Sequence, residues 1–330
     1  MRYLFLVPAL NTGALFGLLK RAAASHIGRR LFPRLNMTTT LVHGGTLNIL
    51  RHCAVAQSVG VDAYMSTLEG RDCFGEQWGI QTDAPLRFVP WDARRPTDVC
   101  LIPDFASHFV DDTPGTCIVY EQNPRQVHAD FDYKRDNVII WTDSPFMLEI
   151  CERTFPGKEI EIVPNIVDHR AFPFVPQHER RRGELIAFPR KGPDFIRETL
   201  ASYHARSGSY WHLTEIDGLP FRELARRFST PQAFLASADV EGCALPPQEA
   251  MASGMVVVGK DARGANFCME DGQTALIANT PEAAAEALLK AEDDALRDRV
   301  SRAAHEQISR YFATSEPTRF WRRFSQSLSG

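Results

Sequence analysis

The sequence predicts an α/β protein of two domains, each built on a parallel sheet with crossover helices. Short apolar runs alternate with amphipathic helical patterns along the chain, as they do where helices join parallel strands. With 330 residues the chain is long enough for two domains that each bury a core. Residues 173–183 are rich in proline and charge, and the alternation begins again after them. We therefore predict a first domain over residues 1–172, a linker over 173–183 and a second domain over 184–310.

In the first domain, apolar runs predict strands near residues 3–8, 39–42, 61–67, 99–102, 116–120, 138–141 and 160–163. Helical periodicity predicts helices over residues 14–24, 46–58 and 145–153. Residues 12–36 form an insertion that combines apolar residues with lysine and arginine. This basic insertion favours contact with an anionic membrane surface or an anionic lipid-linked ligand. A solvated helix packed on the domain by its leucines explains the same pattern equally well.

The second domain repeats the alternation. Strands are predicted near residues 184–188, 210–214, 232–236, 255–259 and 274–278. Helices are predicted over residues 193–205, 220–227, 247–253, 281–290 and 292–311. A last amphipathic helix within residues 311–330 carries Phe320, Trp321 and Phe324 on one face and arginines on another. We expect its apolar face to dock on another part of the protein.

Composition and charge exclude several classes of protein. A formal net charge of −4 argues against nucleic acid as a partner, although the chain has no acidic residue before Asp62. Seven cysteines without a C-x-x-C pair fit neither a disulfide framework nor a zinc site, and they predict a reducing cytoplasm. The apolar run at residues 3–10 is explained better by a strand than by a secretory signal.

The most informative segment runs from residue 237 to residue 258 and holds two acids, Glu241 and Glu249, eight positions apart. Glu241 lies in a predicted loop, and Pro246-Pro247 then opens a helix in which Glu249 falls in the first turn. Gly254 ends that helix before a buried strand. A loop that leads into a helix in this way offers unpaired N–H groups and a positive dipole end to a phosphate. The two acids suit sugar or ribose hydroxyls.

Two adjacent cations, Arg190 and Lys191, precede Gly192 between a predicted strand and a predicted helix. This position is the carboxyl end of a strand, where open α/β sheets bind ligands. Positive charge there would neutralise a diphosphate as it leaves. The alternative is a solvated pair of loop residues.

Three short segments of the first domain occupy comparable positions. The glycine pair Gly44-Gly45 lies between a strand and a helix, where a backbone without side chains can approach a ligand, or it is an ordinary turn. Polar residues follow the predicted strand at 116–120 and either contact a ligand or are ordinary loop residues: Glu121, Gln122 and His128. Asp143-Ser144 follows the next strand in the same way.

The segment around Glu241 and Glu249 resembles the Glu-x7-Glu signature of retaining GT-B glycosyltransferases, the large family-four group also called group one. Lys191-Gly192 and the text of residues 164–168 resemble that family too, and the similarity covers most of the chain. The resemblance implies the GT-B fold, in which two Rossmann-like domains with parallel sheets face a cleft. It also implies that the carboxyl-terminal helix, here within residues 311–330, crosses back to the first domain.

Residue roles follow from the resemblance. Glu249 is implied to bind the nucleotide ribose and Glu241 the donor sugar. Arg190 and Lys191 are implied to stabilise the departing diphosphate, so that Glu241, Arg190 and Lys191 form the catalytic set. The loop and glycine residues implied to hold the donor are Gly242, Cys243, Ala244, Leu245, Gly44 and Gly45. Residues implied on the acceptor side are Glu121, Gln122 and His128.

One departure and one competing motif bear on these roles. Cys243-Ala244 stands where the family usually has Phe-Gly, and alanine adopts positive φ only at a cost, which puts the loop path in doubt. Asp130-Phe-Asp132 spells the D-x-D that GT-A enzymes use for a divalent metal. We interpret it as accidental, because the acids and cations of the second domain already supply diphosphate binding without metal.

The implied function is transfer of a glycosyl group from a nucleotide-diphosphate sugar to a glycan or lipid-linked acceptor, as in polysaccharide biosynthesis. By resemblance the anomeric configuration is retained, a donor phosphate oxygen takes the acceptor proton, and neither a metal nor another cofactor is needed. We expect a cytoplasmic protein that contacts the inner face of the membrane through residues 12–36. The alternatives are a sugar-nucleotide epimerase of the same fold and a catalytically silent GT-B module that binds sugar or a partner enzyme. A dehydrogenase is disfavoured, because no G-x-G-x-x-G follows the first strand.

Overall fold

The computed structural model of this chain describes residues 1–10, 37–39, 43–70, 85–311 and 315–328. The chain divides into two compact units. Unit 1 comprises Met1–Ile166 and Ser315–Gly330, and unit 2 comprises Val167–Thr314. Each unit is built on a sheet of parallel strands, which confirms the predicted α/β class. The basic insertion at residues 12–36, with the helix predicted over 14–24, lies outside the described residues.

The strands of unit 1 are β1 Tyr3–Leu6, β2 Ala9–Leu10, β3 Thr38–Thr39, β4 Ala63–Thr67, β5 Phe88–Pro90, β6 Val99–Pro103, β7 Thr116–Glu121, β8 Val138–Thr142 and β9 Ile160–Ile162. The strands of unit 2 are β10 Arg181–Ala187, β11 His212–Glu215, β12 Pro231–Ala236, β13 Val256–Gly259 and β14 Leu276–Ile277. The helices of the described residues are α1 Gly44–Ser58, α2 Pro145–Thr154, α3 Pro193–Ala205, α4 Phe221–Arg227, α5 Leu245–Ser253, α6 Pro281–Lys290, α7 Asp294–Tyr311 and α8 Ser315–Ser327.

The main sheet of unit 1 has the strand order β5-β4-β1-β6-β7-β8-β9, and every neighbouring pair is parallel. The short strands β2 and β3 form a separate parallel pair. The central strands are buried along their whole length because helices cover the sheet, and this explains why they appear in the sequence as apolar runs. Strand β5 was not predicted, because its three residues are only half-buried and end in proline.

Helix α8 packs on unit 1 through the apolar face that the sequence indicated. Trp321 is fully buried, and its ring centroid lies 5.3 Å from that of Phe5 and 5.9 Å from that of Trp141. The indole Nε1–H of Trp321 donates a hydrogen bond of 3.1 Å to Nδ1 of His52 on α1. Helix α8 is therefore held by both aromatic packing and one buried polar contact.

The sheet of unit 2 has the strand order β11-β10-β12-β13-β14, again with parallel neighbours. The segment 173–183, predicted as a linker, differs from expectation because it lies within unit 2. Its Gln177 side chain is buried and donates to the backbone oxygen of Gly254 at 2.7 Å. The Arg180 guanidinium is likewise buried and donates to Pro231 O at 2.6 Å. A proline-rich and charged composition is here compatible with burial, because backbone carbonyls satisfy the buried donors.

Two further features concern the helices and the cysteines. No helix of the described residues is both long enough and apolar enough to cross a membrane. Six cysteines of the same residues are buried as thiols and form no disulfide with one another: Cys53, Cys100, Cys117, Cys151, Cys243 and Cys268.

Candidate functional site

Three neighbouring strands of unit 2 bring their following loops together at one edge of the sheet. In the register of the sheet, Ala187 of β10 lies beside Leu235 of β12, and Ala236 lies beside Gly259 of β13. The loops that begin after these strands therefore leave the sheet side by side. This carboxyl edge is where open parallel sheets bind their ligands.

The loop after β10 is held against the loop after β12 by a close backbone approach. Gly192 has φ +85°, and a Cβ at this position would lie 2.3 Å from the backbone oxygen of Ser237. Glycine is therefore required both by the left-handed backbone and by the missing space. The Ser237 hydroxyl donates to the backbone oxygen of Lys191 and closes the contact. Lys191 is thus positioned by the backbone of the neighbouring loop.

Lys191 forms an ion pair with Glu241 across these two loops, Nζ to Oε1. The Lys191 side chain is 46% exposed and that of Glu241 is 18% exposed. The structure thus brings together two members of the predicted catalytic set, fifty positions apart in sequence. Arg190, the third member, is an exposed residue of the same loop. The pair lies at the surface, so its charges remain accessible to a ligand.

A second lysine and carboxylate pair lies at the same edge and was missed from the sequence. Lys260 directly follows β13, and its Nζ pairs with Oδ1 of Asp239 in the loop after β12. The Lys260 ammonium also lies 4.4 Å from the ring centroid of Phe195 on α3. The signal that would have found Lys260 is its position, since a cation directly after a buried strand of a parallel sheet lies at the ligand-binding edge.

Helix α5 begins two residues earlier than predicted, at Leu245 instead of at 247. As a consequence its first turn contains no acid, and Glu249 lies in the second turn, which corrects the predicted position. The residue before the helix, Ala244, has φ −72° and ψ 123°, and its N–H donates to Asn266 Oδ1 at 3.3 Å. Because Ala244 is extended, its replacement of the usual glycine causes no backbone strain at that position.

The remaining donor-side residues differ in exposure. Gly242, Cys243 and Leu245 are buried, and the Gln248 side-chain amide donates to the Cys243 sulfur. Glu249 is only 2% exposed, whereas the Glu241 side chain is 18% exposed. The two acids of the motif are therefore presented differently, Glu241 at the surface beside a lysine and Glu249 in the interior of the α5 region.

The carboxyl edge of unit 1 carries a row of acids. In the register of its sheet, Pro103 lies beside Tyr120 and Glu121 lies beside Thr142. Asp104 and Asp143, the residues that follow β6 and β8, are therefore neighbours of Glu121 at the end of β7. Both are buried.

Glu121 is fully buried, and neither of its carboxyl oxygens has a hydrogen-bond partner among the described residues. Burial raises the pKa of Glu121 well above its ordinary value, and the charges of Asp104 and Asp130 raise it further. The protonated form of Glu121 is therefore favoured, because ionisation would bury an uncompensated charge. A neutral carboxyl can both donate and accept a hydrogen bond.

One glycine of the predicted donor pair and one further residue predicted on the acceptor side lie near this edge. A Cβ on Gly45, in the first turn of α1, would lie 3.1 Å from Oε1 of Gln122, so these two predicted residues are neighbours. The Gln122 N–H donates to Asp104 at 3.2 Å. Gly44 and His128 are exposed. The structure thus groups Gly45, Gln122 and Glu121 at one edge.

The D-x-D acids have other contacts. Asp130 accepts a hydrogen bond of 3.3 Å from the Ser107 hydroxyl, and the Asp132 N–H donates to Asp111 at 3.0 Å. In the part of the chain that the structure describes, no group of three or more His, Cys, Asp or Glu side chains is arranged to hold a metal ion. Asp130 instead acts on this edge through its negative charge, which raises the pKa of Glu121.

Comparison with known proteins adds a family and a fold. Residues 216–307 match the model of the family described as glycosyl transferases group 1. No curated protein matches the chain in sequence. Residues 216–307 are therefore similar to the group 1 glycosyltransferases, the family that the sequence predicted.

Several solved structures are similar in fold. The pneumococcal O-GlcNAc transferase GtfA, in complex with UDP and GlcNAc, is 16% identical with a TM-score of 0.55, over 70% of this chain and 57% of that chain. Sucrose-phosphate synthase from Thermosynechococcus elongatus is 14% identical with a TM-score of 0.64, over 87% of this chain and 94% of that one. A glycosyltransferase from Rickettsia africae is 11% identical with a TM-score of 0.63, over 88% of this chain and 96% of that one.

These likenesses concern the fold, and they confirm that the two parallel-sheet units form a GT-B protein. The chain spans 57% of the length of the pneumococcal transferase that it matches. The family match lies in unit 2, and it contains Glu241, Glu249 and Lys260.

Proposed function

We propose that this chain is a glycosyltransferase that moves a sugar from a nucleotide-diphosphate sugar to a glycan or lipid-linked acceptor. The proposal includes retention of the anomeric configuration and no need for a metal or another cofactor. The observation that carries it is the Lys191 and Glu241 pair at the carboxyl edge of unit 2, in which Glu241 lies shortly before α5 and within the residues that match the glycosyltransferase family. The bound UDP named for the pneumococcal neighbour supports a nucleotide-diphosphate donor.

Positive groups at this edge account for binding and departure of the diphosphate. Lys191 and the exposed Arg190 supply two charges, and the first turn of α5 supplies backbone N–H groups with the positive end of the helix dipole. No acidic residue in the first turn of α5 opposes this field. The same groups stabilise the negative charge that develops on the diphosphate as the sugar leaves.

The two acids of the motif act on hydroxyl groups in this proposal. Glu241 accepts hydrogen bonds from the donor sugar once a phosphate has taken its place at Lys191. Glu249 anchors the ribose from the second turn of α5. Its burial suits this role, because a hydrogen bond to a charged group is stronger where water is excluded.

The acceptor is proposed to bind at the carboxyl edge of unit 1. A protonated Glu121 donates to an acceptor oxygen, and Gln122, held near Gly45, offers an amide for a further hydrogen bond. His128 is an exposed candidate farther along the same connection. A donor phosphate oxygen takes the acceptor proton. The cytoplasmic location and the membrane contact through residues 12–36 are proposed from the sequence alone.

A donor panel tests the proposal. Thermal stabilisation is measured with a set of nucleotide-diphosphate sugars, and donor hydrolysis is then assayed with and without a chelator. Glu249→Ala is expected to abolish the stabilisation by the donor, because the ribose loses its anchor. Glu223→Ala, which removes an exposed acid from α4 of the same unit, is the control and is expected to retain it.

Each other outcome contradicts a stated part of the proposal. Stabilisation by no donor would overturn the function, and full stabilisation of Glu249→Ala would overturn the assignment of the ribose site. Turnover that needs a metal would return Asp130 and Asp132 to consideration. Epimerisation of the donor without acceptor would indicate an epimerase, and binding without turnover on any acceptor would indicate a silent module.

A further inference from the structure

Lys260 lies at the proposed donor edge but belongs to no motif that the sequence indicated. Its N–H donates to Ala236 O at 2.8 Å, so its backbone continues the contact between β12 and β13. Its side chain pairs with Asp239 in the loop after β12, and its ammonium lies 4.4 Å from the Phe195 ring in the first turn of α3. The ammonium is thereby placed between the loop that carries Glu241 and the start of α3.

Lys260 and Asp239 differ in how far their side chains are buried. The Lys260 side chain is 14% exposed, whereas that of Asp239 is 68% exposed. The lysine is held in place by the protein around it, whereas the aspartate reaches it from the solvent side. An exposed carboxylate is well hydrated, so it leaves an ion pair at small cost. The charge of Lys260 is therefore available to any anion that competes with Asp239.

The surroundings make an added anion favourable. Helix α3 begins at Pro193 with its positive dipole end beside the Lys260 ammonium, and a cation is disfavoured there. Asp194 in the same turn is 74% exposed and pairs with Arg197. Lys191 and Arg190 add positive charge at the same edge. Asp239 and Glu241 are the carboxylates that offset the charges of Lys260 and Lys191 at this edge.

The two ion pairs have the same arrangement. Asp239 and Glu241 lie two positions apart on the loop after β12, and each pairs with a lysine from a neighbouring loop. Lys191 comes from the loop after β10 and Lys260 from the loop after β13. A diphosphate carries more than one negative charge on adjacent groups, so it can replace both carboxylates together.

We propose that Lys260 is a third cation of the donor diphosphate site, beside Lys191 and Arg190, and that Asp239 pairs with its ammonium until the diphosphate of a nucleoside diphosphate replaces the carboxylate. This inference rests on the proposed function and names the groups that bind the phosphates of that donor. Lys260 acts as a binding residue for the diphosphate and makes no contact with the base or ribose.

Calorimetric titration tests the inference with a nucleoside diphosphate, UDP, and with the nucleoside, uridine. Lys260→Gln is expected to weaken UDP binding about tenfold, the effect of one charge-assisted contact, and to leave uridine binding unchanged. Lys260→Arg keeps the charge and is expected to keep most of the affinity. Asp239→Asn is expected to strengthen UDP binding about threefold, because it removes the competing carboxylate. Lys290→Gln, an exposed lysine at the end of α6, is the control and is expected to change neither.

Several results would overturn the inference. Unchanged UDP affinity in Lys260→Gln, an equal loss for UDP and uridine, or weaker UDP binding in Asp239→Asn would each contradict it. If Lys260→Gln does not fold, Asp239→Asn still decides the question, because its expected gain in UDP affinity is opposite in sign to the loss that a structural defect would cause.

The controls separate this inference from the proposed function. If the wild-type protein binds none of UDP, GDP, ADP and dTDP, the proposed function itself fails. If the wild-type protein binds one of them and Lys191→Gln loses that binding while Lys260→Gln does not, only the assignment of Lys260 fails.

Discussion

At the carboxyl edge of unit 2, Lys191 and Lys260 each lie against a carboxylate of the loop after β12, and each pair has one partly exposed member. At the carboxyl edge of unit 1, Glu121 is fully buried, neither of its oxygens is hydrogen-bonded within the described chain, and acids are its charged neighbours. At the edge of unit 2 each lysine is thus paired with a carboxylate, whereas at the edge of unit 1 burial and neighbouring acids raise the pKa of Glu121.

The difference has a chemical consequence. Paired and accessible ions can exchange one anion for another, which suits a diphosphate. A buried protonated carboxyl is neutral and offers a hydrogen-bond donor and an acceptor, which suits a hydroxyl group. The two units share a fold pattern but present opposite chemistry at equivalent edges, and the pH dependence of stability should distinguish them.

Glu121→Gln is expected to give the largest effect on stability. The folded pKa of Glu121 is raised above its ordinary value of 4.5, so its favourable contribution is complete below pH 4.5 and is lost as the pH rises toward the folded value. The loss is about 1.4 kcal/mol for each pH unit in that window. Glutamine cannot ionise, so the variant should lack this slope in chemical denaturation measured across pH.

The control for Glu121 is Glu149→Gln, an exposed acid on α2 of the same unit, which is expected to keep the wild-type slope. If Glu121→Gln showed the same pH dependence of the free energy of unfolding as the wild-type protein, Glu121 would be ionised in the folded protein. The contrast between the two edges would then be lost.

His52→Gln is expected to give the next largest effect on stability. The contribution of His52 is lost as the pH falls, whereas that of Glu121 is lost as the pH rises. Burial lowers the pKa of His52 from 6.5 to about 4, which keeps its Nδ1 free to accept from Trp321. Its contribution to stability is complete above pH 6.5 and is lost as the pH falls to about 4. The loss amounts to about 3 kcal/mol and should be absent in the variant. Urea denaturation at pH 4 and pH 7 measures it.

The matched control for His52 is His128→Gln, an exposed histidine of unit 1. Above pH 4.5 the contributions of Glu121 and His52 change in opposite directions, so the slope of the wild-type protein is the difference between them. Each single variant should therefore reveal the slope of the other group in that window. A flat profile in both single variants would contradict both assignments.

Gly192→Ala is expected to give the smallest effect on stability and tests the backbone of the unit 2 edge. Alanine at φ +85° is strained, and its Cβ would meet Ser237 O at 2.3 Å. Gly218→Ala is strained at φ +64° but meets nothing within 4 Å. The first variant should therefore be less stable than the second by about 1–3 kcal/mol, the cost of an overpacked contact. Equal thermal stability would show that the two loops are not held together at this point.

The sequence predicted helices most accurately where local signals agree. Helices α3 and α6 begin and end at the predicted residues, because each begins with proline in its first turn. Thr280 also caps α6 by accepting from Ala283 N–H at 3.2 Å. Helix α5 was predicted to begin at 247, two residues late, because the pair Pro246-Pro247 was taken as the opening of the helix although Leu245 already belongs to it.

The motif residues of the candidate site could be predicted from the sequence, but the ion pairs that they form could not. Glu241 and Lys191 each stand in a short recognisable pattern, yet their ion pair joins loops after different strands. Lys260 and Asp239 have no local pattern at all, so only the strand order β10-β12-β13 brings them to this edge. Sequence spacing carries no information about which loops are adjacent.

By itself the sequence determined the α/β alternation and the residue types of the segment that contains Glu241 and Glu249, because periodicity and turn chemistry are local properties. The tertiary structure alone decided which charges are paired and which are buried. Glu121 and Glu241 are the same residue type beside similar strands, but burial raises the pKa of Glu121 whereas Glu241 pairs with a lysine. The physical reason is that solvation and pairing depend on the neighbours that folding brings from elsewhere in the chain.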